Sequence, residues 1–363
     1  MKSVLVALGL LIPTLDICRP EAPYLTKLDQ VVGQLITAGF SDNNSSSPGF
    51  RQVLDDVQDG IIGGVLFLAE NITSRAELVS MVRELEKCKC AIPPFIAIDE
   101  EGGAVDRLGG KRGFKPIHSA QEIGRGTEEN ARLQYDLLAK ELAEVGFNMN
   151  LGPVVDLNVN PRNPVIGAVG RSYSRDPLVV EKFARIFIAA HRSVGIRTVL
   201  KHFPGHGSSA TDSHLGLTDV GPTWSEKELV PYRRLIEADM VDAIMVGHLT
   251  NRKQWGGVAT QDGSTAVSTI LRSELGYGGA TISDDLNMDA ISSNKVNLPS
   301  AVVSSLISGI DIVMVAHSYS KEHNKNRWLN ASIVDAIVVE KLRIDSIDKS
   351  LQRVRSLKEE FKH

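Results

Sequence analysis

Residues 201–214 read KHFPGHGSSATDSH and place Lys201, His202, His206, Asp212 and His214 within one short stretch. Burying such groups destabilises a fold unless each is paired, so a cluster of this kind points to chemistry. Asp212 stands two residues before His214. A carboxylate at that distance can fix an imidazole's orientation and raise its basicity, and the histidine can then pass a proton to a leaving oxygen and take one from water. The plainer alternative is an Asp that shapes a turn beside a solvated His. The spacings H-x3-H and D-x-H could also suit a metal. However, Pro204 and Gly205 keep the first pair off a helix and Lys201 puts a cation beside it, so no metal and no cofactor is expected. A second carboxylate pair, Asp284-Asp285, lies in TISDDLNM. One member could act as a nucleophile, and either could cap the helix that follows.

The elements that must hold these groups alternate along the chain. Strands are expected at 34–40, 62–69, 93–99, 147–155, 197–204, 243–249, 279–285 and 310–316. Helices are expected at 50–59, 74–87, 120–145 with a break near Gly124–Thr127, 177–194, 225–238, 268–275 and 297–308, with a helical remainder. The second strand, IGGVLFLA, is apolar throughout, which suits a strand buried on both faces of a parallel sheet. Eight strand–helix units at this length imply an α/β fold, a closed (β/α)8 TIM-type barrel in a single domain, with an open doubly wound sheet as the runner-up.

In such a barrel the site lies where the strands end. The residues there are Asp99 with Arg107, Asp156, Arg171, Lys201 with His202, Asp212 with His214, His248, Asp284 with Asp285, and His317. Acids, bases and arginines of this kind suit a neutral polyol such as a sugar. Glu100 and Glu101, in the run DEEGG, read as a solvated acidic turn and stay outside the site.

The 363 residues carry a net charge of −4, with 42% hydrophobic and 23% charged residues. These are globular values with no electrostatic footprint for nucleic acid. Cys18, Cys88 and Cys90 are too few for a zinc site and imply no disulfide framework, so Cys88 and Cys90 read as ordinary thiols near a helix end. Residues 1–20 read as an export signal, with a divergent N-terminal extension as the alternative, and residues 21–363 as the barrel domain. Val4–Ile12 is too short to span a bilayer, and no later stretch is long and apolar enough. Periplasmic or secreted placement is therefore expected, with a cytoplasmic one as the alternative, for a monomer without an integral membrane segment.

Four segments together resemble family 3 glycoside hydrolases: D-x-E-G-G-x-V-x-R from Asp99 to Arg107, NVNPRNPVIGAVGRSYSRDP at 158–177, KHFPGHG-x4-DSH at 201–214, and SDDLNM at 283–288. The similarity is greatest to single-domain bacterial β-N-acetylglucosaminidases. It implies a barrel that hydrolyses terminal β-linked GlcNAc with retention. Carried over by motif, Asp284 is the nucleophile and His214, paired with Asp212, the acid/base. Asp99, Arg107, Arg171, Lys201 and His202 bind the sugar. Ala104, Asp106, Ser208 and Thr218 depart from the family pattern without removing any of these groups. An exo-β-glucosidase or xylosidase, or a catalytically silent sugar-binding protein, are the competing expectations.

Overall fold

Eight parallel strands, each hydrogen-bonded to the next in chain order, close into a barrel when the last pairs with the first. The computed structural model describes residues 27–359 apart from 89, 91, 213–215, 217, 262, 289–296 and 317–323. The segment read as an export signal, and His214 and His317, lie outside the described residues. The strands are β1 (Ile36–Gly39), β2 (Gly64–Phe67), β3 (Phe95–Ile98), β4 (Met149–Asn150), β5 (Arg197–Phe203), β6 (Ala243–Val246), β7 (Ala280–Asp285) and β8 (Ile312–Val315). β1, β2, β3, β6 and β8 are buried at every position, as strands covered on both faces must be. Register is set by pairs such as Ile36 with Val313 and Thr37 with Gly64.

Local chemistry starts and stops the helices around the barrel. Asp176 accepts the N–H of Leu178 at 2.9 Å and Pro177 opens the helix Pro177–Arg192. The expected break in 120–145 is real: Ala120–Arg125 ends at Gly126, and Thr127 caps a new helix, Glu128–Val145, by accepting from Asn130 at 3.2 Å.

Five expectations need correction. β4 forms a regular ladder over two residues, because Gly152 and Pro153 interrupt it and proline has no N–H for a ladder; pairing resumes in a single bridge of Val154 with Lys201. β6 ends at Val246; Leu249–Asn251 instead joins a small outer sheet with Thr218–Asp219 and Gly257–Val258. The segment 225–238 begins as a 3-10 turn, Glu226–Leu229, before the helix Val230–Glu237. Ala266–Glu274 is a π-helix, with Leu275 N–H donating to Ile270 at 3.0 Å. Cys88 and Cys90 are joined by a disulfide just past the helix Arg75–Glu86. Cysteine counting looks for bridges that staple long loops, and this one closes a loop of two residues' separation.

The lower mouth of the barrel, at the strands' N-terminal ends, is held by buried polar groups. Asp242 accepts from Thr198 N–H at 2.9 Å and from Arg192 at 2.9 Å. Asp311 accepts from Arg272 at 2.8 Å, Arg353 at 2.9 Å and Thr281 N–H at 2.9 Å. Lys358, from the helix Ile344–Glu359, donates to Gly63 O at 2.7 Å and Gln34 Oε1 at 2.9 Å, its ammonium 4.3 Å from the Phe95 ring centre.

Candidate active site

At the opposite mouth, the turn after β3 carries three acids with three different surroundings. Asp99 accepts from Arg107 Nη2 at 2.9 Å and from the Lys201 ammonium. Glu101 takes Arg171 on both oxygens, at 2.8 and 2.7 Å, and the Lys201 ammonium lies 2.5 Å away. Glu100 accepts the N–H groups of Arg107 and Leu108 at 2.7 and 2.9 Å and shapes the loop that brings Arg107 back. The reading of Glu100 and Glu101 as a solvated turn is wrong: they are only 1% and 7% exposed. Gly102 and Gly103, with φ of 85° and 60°, make the reversal that turns Glu101 inward. The available signal was a charge imbalance, since Arg107, Arg171 and Lys201 could not all be buried against Asp99 alone.

Burial opposes ionisation of Asp99, but Lys201, Arg107 and Arg171 outweigh it and hold its carboxyl well below the usual range. Glu101 is lowered in the same way, burial being overcome by Arg171 and Lys201. In Glu100 burial dominates, with Asp106 and Asp99 adding to it against the two N–H donors, and its carboxyl is pushed up to about 8.

β5 supplies Lys201 and His202, both buried. The Lys201–His202 peptide is cis. His202 Nδ1 lies 2.7 Å from Asp156 Oδ2, which assigns the ring proton to Nδ1 and leaves Nε2 facing Arg171 at 3.4 Å. Asp156 also accepts the His206 N–H at 2.7 Å, so it orients a site residue and anchors the following loop together. Burial, with His202 beside it, pushes the His206 imidazole down to about 4.

Asp284 and Asp285 divide their roles. Asp285 accepts from Asn287 and Ala316 N–H at 3.0 and 2.9 Å, which ties the end of β7 to that of β8. Asp284 lines a cleft of about 480 Å³ together with Asp99, Arg107, Arg171, Lys201 and His202. Leu66, Leu68, Met245, Met288 and Met314 supply the apolar part of its lining. His248 is spent on structure, its Nδ1 2.7 Å from Thr260 Oγ1 and its Nε2 2.9 Å from the carbonyl of Asp285.

The structure thus brings seven of the residues singled out in the sequence into one cleft: Asp99, Arg107, Arg171, Lys201, His202, Asp284 and Asp285. Asp212 stands in the loop after β5 and does not line it; His214 is outside the described residues. Glu101 is the functional residue missed; Asp156, named at a strand end in the sequence, acts here by orienting His202. The arrangement presents donors and acceptors beside an apolar lining, with the carboxylates of Glu70, Asp99, Asp284 and Asp285 on the cleft.

A family model described as the N-terminal domain of glycosyl hydrolase family 3 matches residues 27–357. The chain is similar to "Beta-hexosaminidase A" of Pseudoalteromonas piscicida, at 32% identity over 82% of this chain and 53% of that protein. It therefore spans about half the length of that relative. It is 33% identical to "Beta-hexosaminidase" of Xylella fastidiosa (strain M12), over 73% of this chain and 79% of that one. Among solved structures, a glycoside hydrolase family 3 β-N-acetylglucosaminidase from Paenibacillus sp. str. FPU-7 superimposes with a TM-score of 0.83 at 30% identity, covering 93% of this chain and 63% of that one.

Proposed function

Because the chain belongs to glycosyl hydrolase family 3, we propose that it is a retaining exo-β-N-acetylglucosaminidase that releases terminal β-linked GlcNAc from peptidoglycan fragments or chitooligosaccharides. The observation that carries this is Asp284 in a cleft ringed by Asp99, Arg107, Arg171, Lys201 and His202. Asp99 accepts from sugar hydroxyls; Arg107, Lys201 and Arg171 donate to them.

In the first step Asp284 attacks the anomeric carbon, the glycosidic bond breaks, and the leaving oxygen takes a proton from His214, oriented by Asp212. In the second step His214 takes a proton from water, whose oxygen displaces Asp284 from the sugar. Once deprotonated the histidine is neutral, so it does not repel the anionic Asp284 as a second carboxylate would. The relatives' names support the 2-acetamido preference, and the protein acts as a monomer in this reading. Export is part of the proposal too: the Cys88–Cys90 disulfide supports it, since such bonds persist in oxidising compartments.

The test is release of p-nitrophenol from β-GlcNAc and β-glucose substrates. GlcNAc activity that vanishes in Asp284→Ala is expected, while preference for glucose would move the protein to the glucosidase branch. His214→Ala should spare kcat/KM, which reports the first step, for substrates whose leaving group needs no proton; equal losses of kcat/KM on activated and natural substrates would remove His214 from the acid role.

A further inference from the structure

The loop that leaves β5 is clamped at its root from two sides. Its carbonyls are taken by side-chain amides of the loop after β4: Asn163 donates to His206 O at 2.7 Å and Asn160 to Ser209 O at 2.8 Å. Its N–H groups are taken by carboxylates. Asp156 accepts from His206 at 2.7 Å, and Glu228 Oε2 accepts from Gly207 at 2.9 Å, with the Ser208 N–H also directed at Glu228. Asn160, Asn163 and Asp156 all precede the loop in the chain. Glu228 alone among these follows it, from the 3-10 turn Glu226–Leu229.

Glu228 is an expensive way to hold two amides. It is 1% exposed, its other neighbour is the Ser208 hydroxyl, and no cation is among the groups that shift it most. A buried carboxylate without a cation lowers stability. The chain nevertheless makes room for it: Gly205, at φ 122°, brings its backbone so near that a Cβ there would lie 2.6 Å from the Glu228 Cβ. On its return the loop is fixed again, by Thr218 pairing with Leu249 and by Thr211 Oγ1 donating to Thr218 Oγ1 at 3.2 Å. Asp212 stands between these two fixed points.

We propose that Glu228 is a positioning residue for proton transfer: by gripping the Gly207–Ser208 backbone it fixes the point from which the Asp212 segment reaches toward the cleft. This rests on the reading of Asp212 and His214 as the acid/base pair. Glu228 does not line the cleft, so its removal should impair protonation of a poor leaving group and spare the first step on a substrate that needs none.

The experiment compares Glu228→Gln with wild type on 2,4-dinitrophenyl β-GlcNAc, whose leaving group needs no protonation, and on N,N′-diacetylchitobiose, whose leaving group does. Glutamine puts an N–H2, which cannot accept, in place of one carboxylate oxygen and removes the charge that strengthens both amide bonds. kcat/KM for the disaccharide should fall roughly tenfold to a hundredfold while the aryl substrate changes little, since small misplacements of a catalytic group are amplified to that extent. His214→Ala is the reference. If His214→Ala is selective in this way and Glu228→Gln lowers both substrates equally, the positioning role is overturned and the acid/base reading stands. If His214→Ala itself shows no selectivity, the acid/base reading fails first. Should Glu228→Gln not fold, Glu228→Asp keeps the charge and withdraws it by one methylene; the same selective loss is expected, and an equal loss overturns the proposal.

Discussion

Glu100 and Glu101 are adjacent in the chain and opposite in electrostatics. Glu101 faces two cations and is held ionised, whereas Glu100 faces backbone amides and nearby acids and is pushed up to about 8. The unfolded chain releases the Glu100 proton near 4.5. Between those values the folded state keeps a proton that the unfolded state has lost, so this residue makes stability fall as pH rises from about 4.5 to 8. Both amides that Glu100 binds go to one oxygen, which the side-chain oxygen of glutamine can replace. Glu100→Gln should therefore keep the fold and flatten that decline, with the largest gain over wild type near pH 8. Urea denaturation at several pH values measures it, and an unchanged slope would show that Glu100 ionises freely. At this scale the residues with direct contact to the cleft were legible, because Asp99, Arg107, Lys201, His202 and Asp284 stand at strand ends or in the loops just beyond. Glu101 was not chosen, and Asp156 was named without a role, since an acid that serves another side chain has the same letter as one that faces water.

The elements show why the KHFPGHG motif has two glycines. Gly205 admits Glu228, and Gly207 passes so close to the preceding loop that a Cβ would sit 1.8 Å from Leu157 O. A backbone oxygen there cannot yield as a flexible side chain would. Gly207→Ala should lower stability by roughly 2 kcal/mol or more and reduce activity further than that loss explains, because the displaced segment carries Asp212. Thermal unfolding and kcat/KM together check it; wild-type values for both would mean that the loops part without consequence. Helix existence was legible in the sequence, including the break near Gly124–Thr127. The short β4 and the small outer sheet were not. Both depend on partners distant in sequence, and an apolar run such as 147–155 looks the same whether two residues pair or nine.

Across the whole molecule, the eightfold alternation of strand and helix made the barrel readable, while its floor was hidden in scattered single residues. Lys358 is the clearest case. Burial pushes its ammonium down to about 7, against 10.5 for an exposed lysine. From about 7 to 10.5 the unfolded chain holds a proton that the folded one lacks, so stability should rise with pH across that range, opposite in sign to Glu100. Lys358→Met should remove that rise and leave kcat on aryl β-GlcNAc unchanged, since the floor lies at the far end of the barrel from Asp284. A rise that persists in the variant would assign it to another group. Closure by β1 and β8 also bears on how the protein is made. Ile36 pairs with Val313, so β1 waits for nearly the whole chain to be synthesised, roughly tens of seconds, before its second edge is covered. Throughout that interval a buried strand of the finished barrel offers an open edge to other nascent chains. Yield in an expression host should therefore depend on elongation speed and chaperone supply more than on the stability of the completed fold.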